Sequence, residues 1–147
     1  MRGSVGVLVV LMFCGACQEP VHGDMDVRSA SGDAYTFTPT ECFDGGELGY
    51  WGVQLRDDDG RVVDVFERAD VPHAIVYAPG RVAFELNLES CEVFEGRLKR
   101  RVVNGSGTMR GEFTIECSGP AGQALAGEVS FEDCADGHDE QPDDDDF

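Results

Sequence analysis

The chain is poor in basic residues. Eleven Lys and Arg stand against 29 Asp and Glu, giving its 147 residues a net charge of −18. That balance argues against nucleic acid as a partner, because neutralising phosphates needs a positive face. It favours cationic partners instead, either a basic protein or a divalent cation. Histidine is also scarce, with only His22, His73 and His138. No apolar stretch approaches the roughly 20 residues of a membrane-spanning helix. There is no His-Glu-x-x-His, no phosphate-cradling glycine loop and no second cysteine pair at zinc spacing. "NGSG" around Ser106 lacks the spacing of a nucleophile elbow. The expectation is a protein that is not an enzyme and needs no cofactor.

What is present begins with the leader "MRGSVGVLVVLMFCGAC". Arg2 is basic, Val5 to Phe13 is apolar apart from Gly6, and small Gly15 and Ala16 follow. This is the three-part layout of a secretory signal. Its end resembles the lipobox of bacterial lipoproteins, in which small residues precede a cysteine that is diacylated and becomes the first mature residue. Gly15 and Ala16 before Cys17 fit; bulky Phe13 before Cys14 does not. The resemblance implies a signal peptide over 1–16 and a lipid anchor at Cys17. With Gln18 next, it implies delivery to the outer membrane of a Gram-negative bacterium, facing either the periplasm or the surface. The rival reading is ordinary cleavage after Ala16 without lipid.

With Cys14 cut away and Cys17 acylated, Cys42, Cys91, Cys117 and Cys134 remain. An even number in an exported domain reads as two disulfides. Of the three pairings, Cys117–Cys134 is disfavoured, because those residues should end opposite sides of one hairpin. The other two stay open.

Residues 17–33 are polar, with Pro, Gly and Ser, and read as a lipidated, flexible tether. From Ala34 the pattern turns to alternation. In "RVAFELNLE" (81–89), Val82, Phe84, Leu86 and Leu88 share a face. In "GEFTIEC" (111–117), Phe113, Ile115 and Cys117 do the same, and in "ALAGEVSFED" (124–133) so do Leu125, Gly127, Val129 and Phe131. "DDDG" (57–60), "APGR" (78–81) and "NG" (104–105) supply turns. About eight short strands over 34–134 predict an all-β domain. It is an antiparallel β-sandwich or a small β-barrel, stapled by disulfides. Residues 135–147 hold seven acids and no Lys or Arg, and read as a disordered acidic tail.

Candidate sites are few. Asp57 and Asp59 are weak metal candidates, since calcium prefers several oxygen ligands, but the cluster lacks the alternate spacing of a calcium loop and suits a turn better. His138 and Asp139 in the tail are a second weak pair, without preformed geometry. "GRLKRR" (96–101) groups Arg97, Lys99, Arg100 and Arg101, which would protect an edge strand from pairing. Carboxylates such as Glu85 or Glu89 facing Glu112 or Glu116 are a further possibility.

The expected function is a non-catalytic, membrane-anchored interaction or binding module. The alternatives are a small-ligand carrier with a barrel interior and an inhibitor of a basic enzyme. The anchor is tested by the intact mass of protein extracted from membranes. The expected species starts at Cys17 and carries diacylglyceryl and acyl mass; an unmodified chain starting at Cys17 rejects the lipid.

Overall fold

The computed structural model describes residues 20–46, 49–103 and 106–136. The leader, Cys17, the 104–105 turn, His138 and Asp139 lie outside them. Ten strands form: β1 Val21–Arg28, β2 Ala34–Phe37, β3 Glu41–Asp44, β4 Trp51–Arg56, β5 Val62–Arg68, β6 Val71–Ala78, β7 Arg81–Asn87, β8 Val93–Val103, β9 Ser106–Ser118 and β10 Ala124–Asp136. A single 3-10 turn, Leu88–Ser90, follows β7. Among the described residues no helix is long and apolar enough to cross a membrane.

The strands make two five-stranded sheets. Sheet I runs β2-β1-β10-β9-β8 and sheet II runs β3-β4-β5-β6-β7. All neighbours are antiparallel except where the end of β10 meets β3, pairing Ala135 with Phe43 and Asp136 with Asp44. The result is an open sandwich, not a closed barrel. Its core is the inner face of both sheets: Val53, Leu55, Val63 and Val76 from sheet II pack with Met25, Phe37, Ile115 and Leu125 from sheet I.

Two strands escape the alternation reading. β1 lies inside the segment read as a flexible tether, so the tether reading of 21–28 is corrected. Val21, Met25 and Val27 are buried, and β1 pairs with both β10 and β2. Its outward His22, Asp24, Asp26 and Arg28 made the stretch look uniformly polar. β3 is only four residues long. At the other end, β10 runs to Asp136, two residues into the segment read as tail.

β10 changes sheets through a bulge. Phe131 pairs with Gly111, but Cys134 pairs with Met109, so Glu132 and Asp133 together face one residue of β9. Asp133 takes a left-handed φ of 53°. The extra residue lets Phe131 and Cys134, three apart, both turn inward. Cys134 bonds Cys42 on β3, and Cys91 bonds Cys117 on β9. Cys117 and Cys134 do lie at opposite ends of the β9–β10 hairpin, opposite Leu125 and Met109. Nine residues of strand between those positions is roughly 30 Å, far beyond a disulfide.

The expected face of β7 needs one correction. Phe84, Leu86 and Leu88 are buried, but Val82 is 57% exposed. Phe84 pairs with Val76 and Val82 with Tyr77, so Ala83 is an extra residue there. The bulge rotates Val82 to the outer face of sheet II.

The basic cluster also splits. Arg97, Lys99 and Arg101 point outward on β8, the edge strand of sheet I. Arg100 is on the opposite face, and its Nε donates to Asp44 Oδ2 at 2.8 Å. Asp44 is 1% exposed, and its Oδ1 accepts from the Gly46 backbone. This pair ties the edge of sheet I to the edge of sheet II. Arg100→Ala would leave a buried carboxylate without its cation and should cost about 3 kcal/mol in urea denaturation, the low end for such a pair because Arg100 is itself partly exposed. The double variant with Asp44→Ala should recover part of that loss, because no charge is then left unpaired.

Candidate functional site

In a sandwich the outer face of an antiparallel sheet is expected to be polar and solvated. Sheet II departs from this. On β5, Val63 and Val65 face the core, so Val62, Asp64 and Phe66 face out. The register places Gln54 and Arg56 of β4 on one side of them, and His73, Ile75 and Tyr77 of β6 on the other. The outer face therefore carries a largely apolar and aromatic strip with one acid at its centre.

That acid, Asp64, is only 6% exposed. Tyr50 and Tyr77 stand with it in the shared wall of two open recesses. One recess, of about 650 Å³, extends toward Gln54, Arg56 and Arg81. The other, of about 490 Å³, extends toward Trp51, Phe66 and Arg68. Both lie within the roughly 300–1,000 Å³ typical of ligand sites.

Glycines make room for this arrangement. A Cβ on Gly45 would fall 2.2 Å from the Tyr50 ring, and one on Gly52 would fall 2.7 Å from the Phe66 Cβ. Without those side chains, Tyr50 folds back over the sheet and its ring meets Phe66 at 5.5 Å. On the other flank, His73 stacks on Phe66 at 5.7 Å and Arg68 lies over it at 5.1 Å. Glu85 Oε1 holds this flank, 3.0 Å from both Arg68 Nη1 and His73 Nδ1. Arg56 is fixed by Gln54, to which it donates at 3.0 Å, and by the Phe43 ring at 4.7 Å.

The polar groups at the centre are under-satisfied. Asp64 Oδ1 and the Tyr50 hydroxyl are both buried without an aligned hydrogen-bond partner among the described residues. Burial pushes the Asp64 carboxyl above the ordinary carboxylate range; Gln54, Tyr77, Tyr50 and the Arg56 charge pull it only part of the way back. Burial, reinforced by Asp64, also raises the phenols of Tyr50 and Tyr77, so both stay protonated at neutral pH.

The residues singled out from sequence fare differently. Asp57 Oδ1 accepts from the backbone of Asp59 and of Arg61, and the Arg61 side chain pairs with both Asp57 and Asp59. Asp58 accepts from Thr40 at 2.9 Å. Asp57 and Asp59 are thus engaged in closing the β4–β5 turn, and Asp58 ties that turn to the segment before β3. Among the described residues no group of three or more His, Cys, Asp or Glu is placed to hold a metal ion. Glu85 lies on sheet II and Glu112 and Glu116 on sheet I, so the suggested carboxylate pairing between them is corrected. Arg97 and Lys99 line a third recess, of about 480 Å³, on the outer face of sheet I, with Arg110, Glu112 and Glu132. Its charges are interleaved, and Arg97 approaches Glu112 at 3.8 Å.

Sequence reading missed Tyr50, Gln54, Asp64 and Tyr77. The available signal was "VVDVF" (62–66), apolar on both faces of a strand with one acid in the middle. No family model matches the chain, and no curated protein or solved structure is significantly similar to it.

The carboxyl of Asp64 holds its proton more tightly folded than unfolded. Folding stability from this group is therefore greatest below its unfolded value, near 4, and falls as pH rises toward the folded value. Asp64→Asn should raise the Tm at pH 7 by a few degrees. The gain should vanish near pH 3, where the carboxyl is protonated in both states. Thermal melts across that range check the sign.

Proposed function

We propose that the chain is a non-catalytic, exported binding module, anchored by lipid at Cys17, with the outer face of sheet II as its recognition surface. The observation that carries the surface is Asp64: a carboxyl group nine-tenths buried on a face that should be solvated, close to Gln54, Tyr50 and Tyr77 but with one oxygen, Oδ1, in no aligned hydrogen bond. A stable fold gains nothing from that arrangement, whereas a binding site gains directional polar groups in an apolar setting. The anchor and outer-membrane address rest on the leader alone. The carrier reading needs a lumen, and the inner faces here pack against each other in an open sandwich. The inhibitor reading rests only on charge, and no feature of the fold adds to it.

The surface is tested by placing a photo-crosslinking residue at Val82, beside the recess, or at Thr114, on the outer face of sheet I. In intact cells, Val82 should trap envelope material and Thr114 should not. Equal labelling from both positions, or none from Val82, rejects this face.

A further inference from the structure

We propose that the outer face of sheet II binds a neutral saccharide chain, an inference that rests on the binding-face reading above. Charge narrows the choice first. The protein is strongly acidic as a whole, yet the two recesses carry Asp64 and Glu67 against Arg56, Arg68 and Arg81. A cation would meet Arg56 and Arg81, with Arg68 already paired to Glu85, although the rest of the chain offers acids in plenty. An anion would meet Asp64 and the field of the entire molecule. A neutral ligand meets neither penalty.

Polar chemistry narrows it further. Asp64 Oδ1 only accepts hydrogen bonds while ionised, and the protonated Tyr50 hydroxyl can donate. Both are buried without an aligned partner among the described residues. Tyr50 and Asp64 stand close enough to influence each other without an aligned bond, so a ligand with adjacent hydroxyls can enter between them, one hydroxyl donating to Asp64 and its neighbour accepting from Tyr50. The apolar C–H faces of a sugar ring then suit the aromatic surfaces beside these groups. Tyr50 and Tyr77 line both recesses, and Phe66 lines one. Two recesses sharing the wall of Tyr50, Asp64 and Tyr77 fit consecutive rings of a chain better than a single ring.

Trp51 is the only tryptophan in the chain and borders one of the two recesses, so its fluorescence reports on that end of the site. The full-length protein, in a detergent without a sugar head group, is titrated with cellotetraose, chitotetraose and maltotetraose. The matching monosaccharides and a neutral N-acetyl tetraalanine amide are added as separate arms. Trp51 fluorescence and calorimetry are the readouts. At least one tetrasaccharide should give a saturable change and bind about tenfold or more tighter than its monosaccharide. Asp64→Asn and Tyr77→Ala should each weaken that binding by about tenfold or more, while Thr114→Ala leaves it unchanged. The thermal melt of each variant establishes that it folds, and Asp64→Asn should melt higher than the parent. Binding by none of the tetrasaccharides overturns the saccharide inference, as does binding indifferent to both substitutions. If only the tetraalanine amide binds, the saccharide is wrong but the binding face stands. If nothing binds and Val82 also fails to crosslink, both readings fall.

Discussion

The two sheets depend on one strand that belongs to both. β10 pairs along most of its length with β1 and β9, then bends at the Glu132–Asp133 bulge to meet β3. Were it regular, Cys134 could not point inward together with Phe131, and the disulfide between β3 of sheet II and β10 would be lost. The bulge needs Asp133 in a left-handed conformation, a modest strain for a residue type that tolerates it. The Cys42–Cys134 bridge across the resulting corner closes a separation of 92 residues, and the Cys91–Cys117 bridge one of 26. By loop-closure entropy these are worth about 4–5 and about 3–4 kcal/mol. The larger constraint sits at the corner, and the Asp44–Arg100 pair backs it from the neighbouring edge.

That corner explains what sequence could and could not reveal. Period-two alternation exposed eight of the ten strands, because Phe113, Ile115, Leu125 and Val129 repeat strictly and bury what they predict. β1 escaped because Asp24 and Asp26, which accept from Thr38 and Thr36, hid the inward Val21, Met25 and Val27 behind an apparently polar run. Arg100 escaped because Arg97, Lys99, Arg100 and Arg101 look alike in one dimension; only the pairing of β8 with β9 separates the inward one. The even cysteine count pointed to two bridges, but their partners depend on where β3 and β10 meet, a contact between the two ends of the domain.

The candidate site was less legible for a related reason. Its groups come from the turn before β4, from β4 itself, and from β5 and β6. None of these segments carries a motif, and the spacing among Tyr50, Asp64 and Tyr77 follows from hairpin register. The acids that stood out in sequence, Asp57 to Asp59, are consumed by their own turn and by Thr40 beside it. The acid that matters stood alone among valines.

Its isolation bears on why the site persists. A carboxylate in this position works against folding near neutral pH, since burial opposes its charge and its neighbours compensate only in part. The bulge that turns Val82 outward is likewise a departure from regular sheet geometry on the same face, where Gly45 and Gly52 leave room for Tyr50 and Phe66. The opposite outer face shows the ordinary solution, in which exposed Arg97 and Glu112 are simply interleaved. The bulge of β10 in sheet I is accounted for by the corner it makes, whereas the buried acid on the outer face of sheet II serves no packing purpose. Departures that cost stability are expected to scatter when they have no use and to cluster where a ligand repays them.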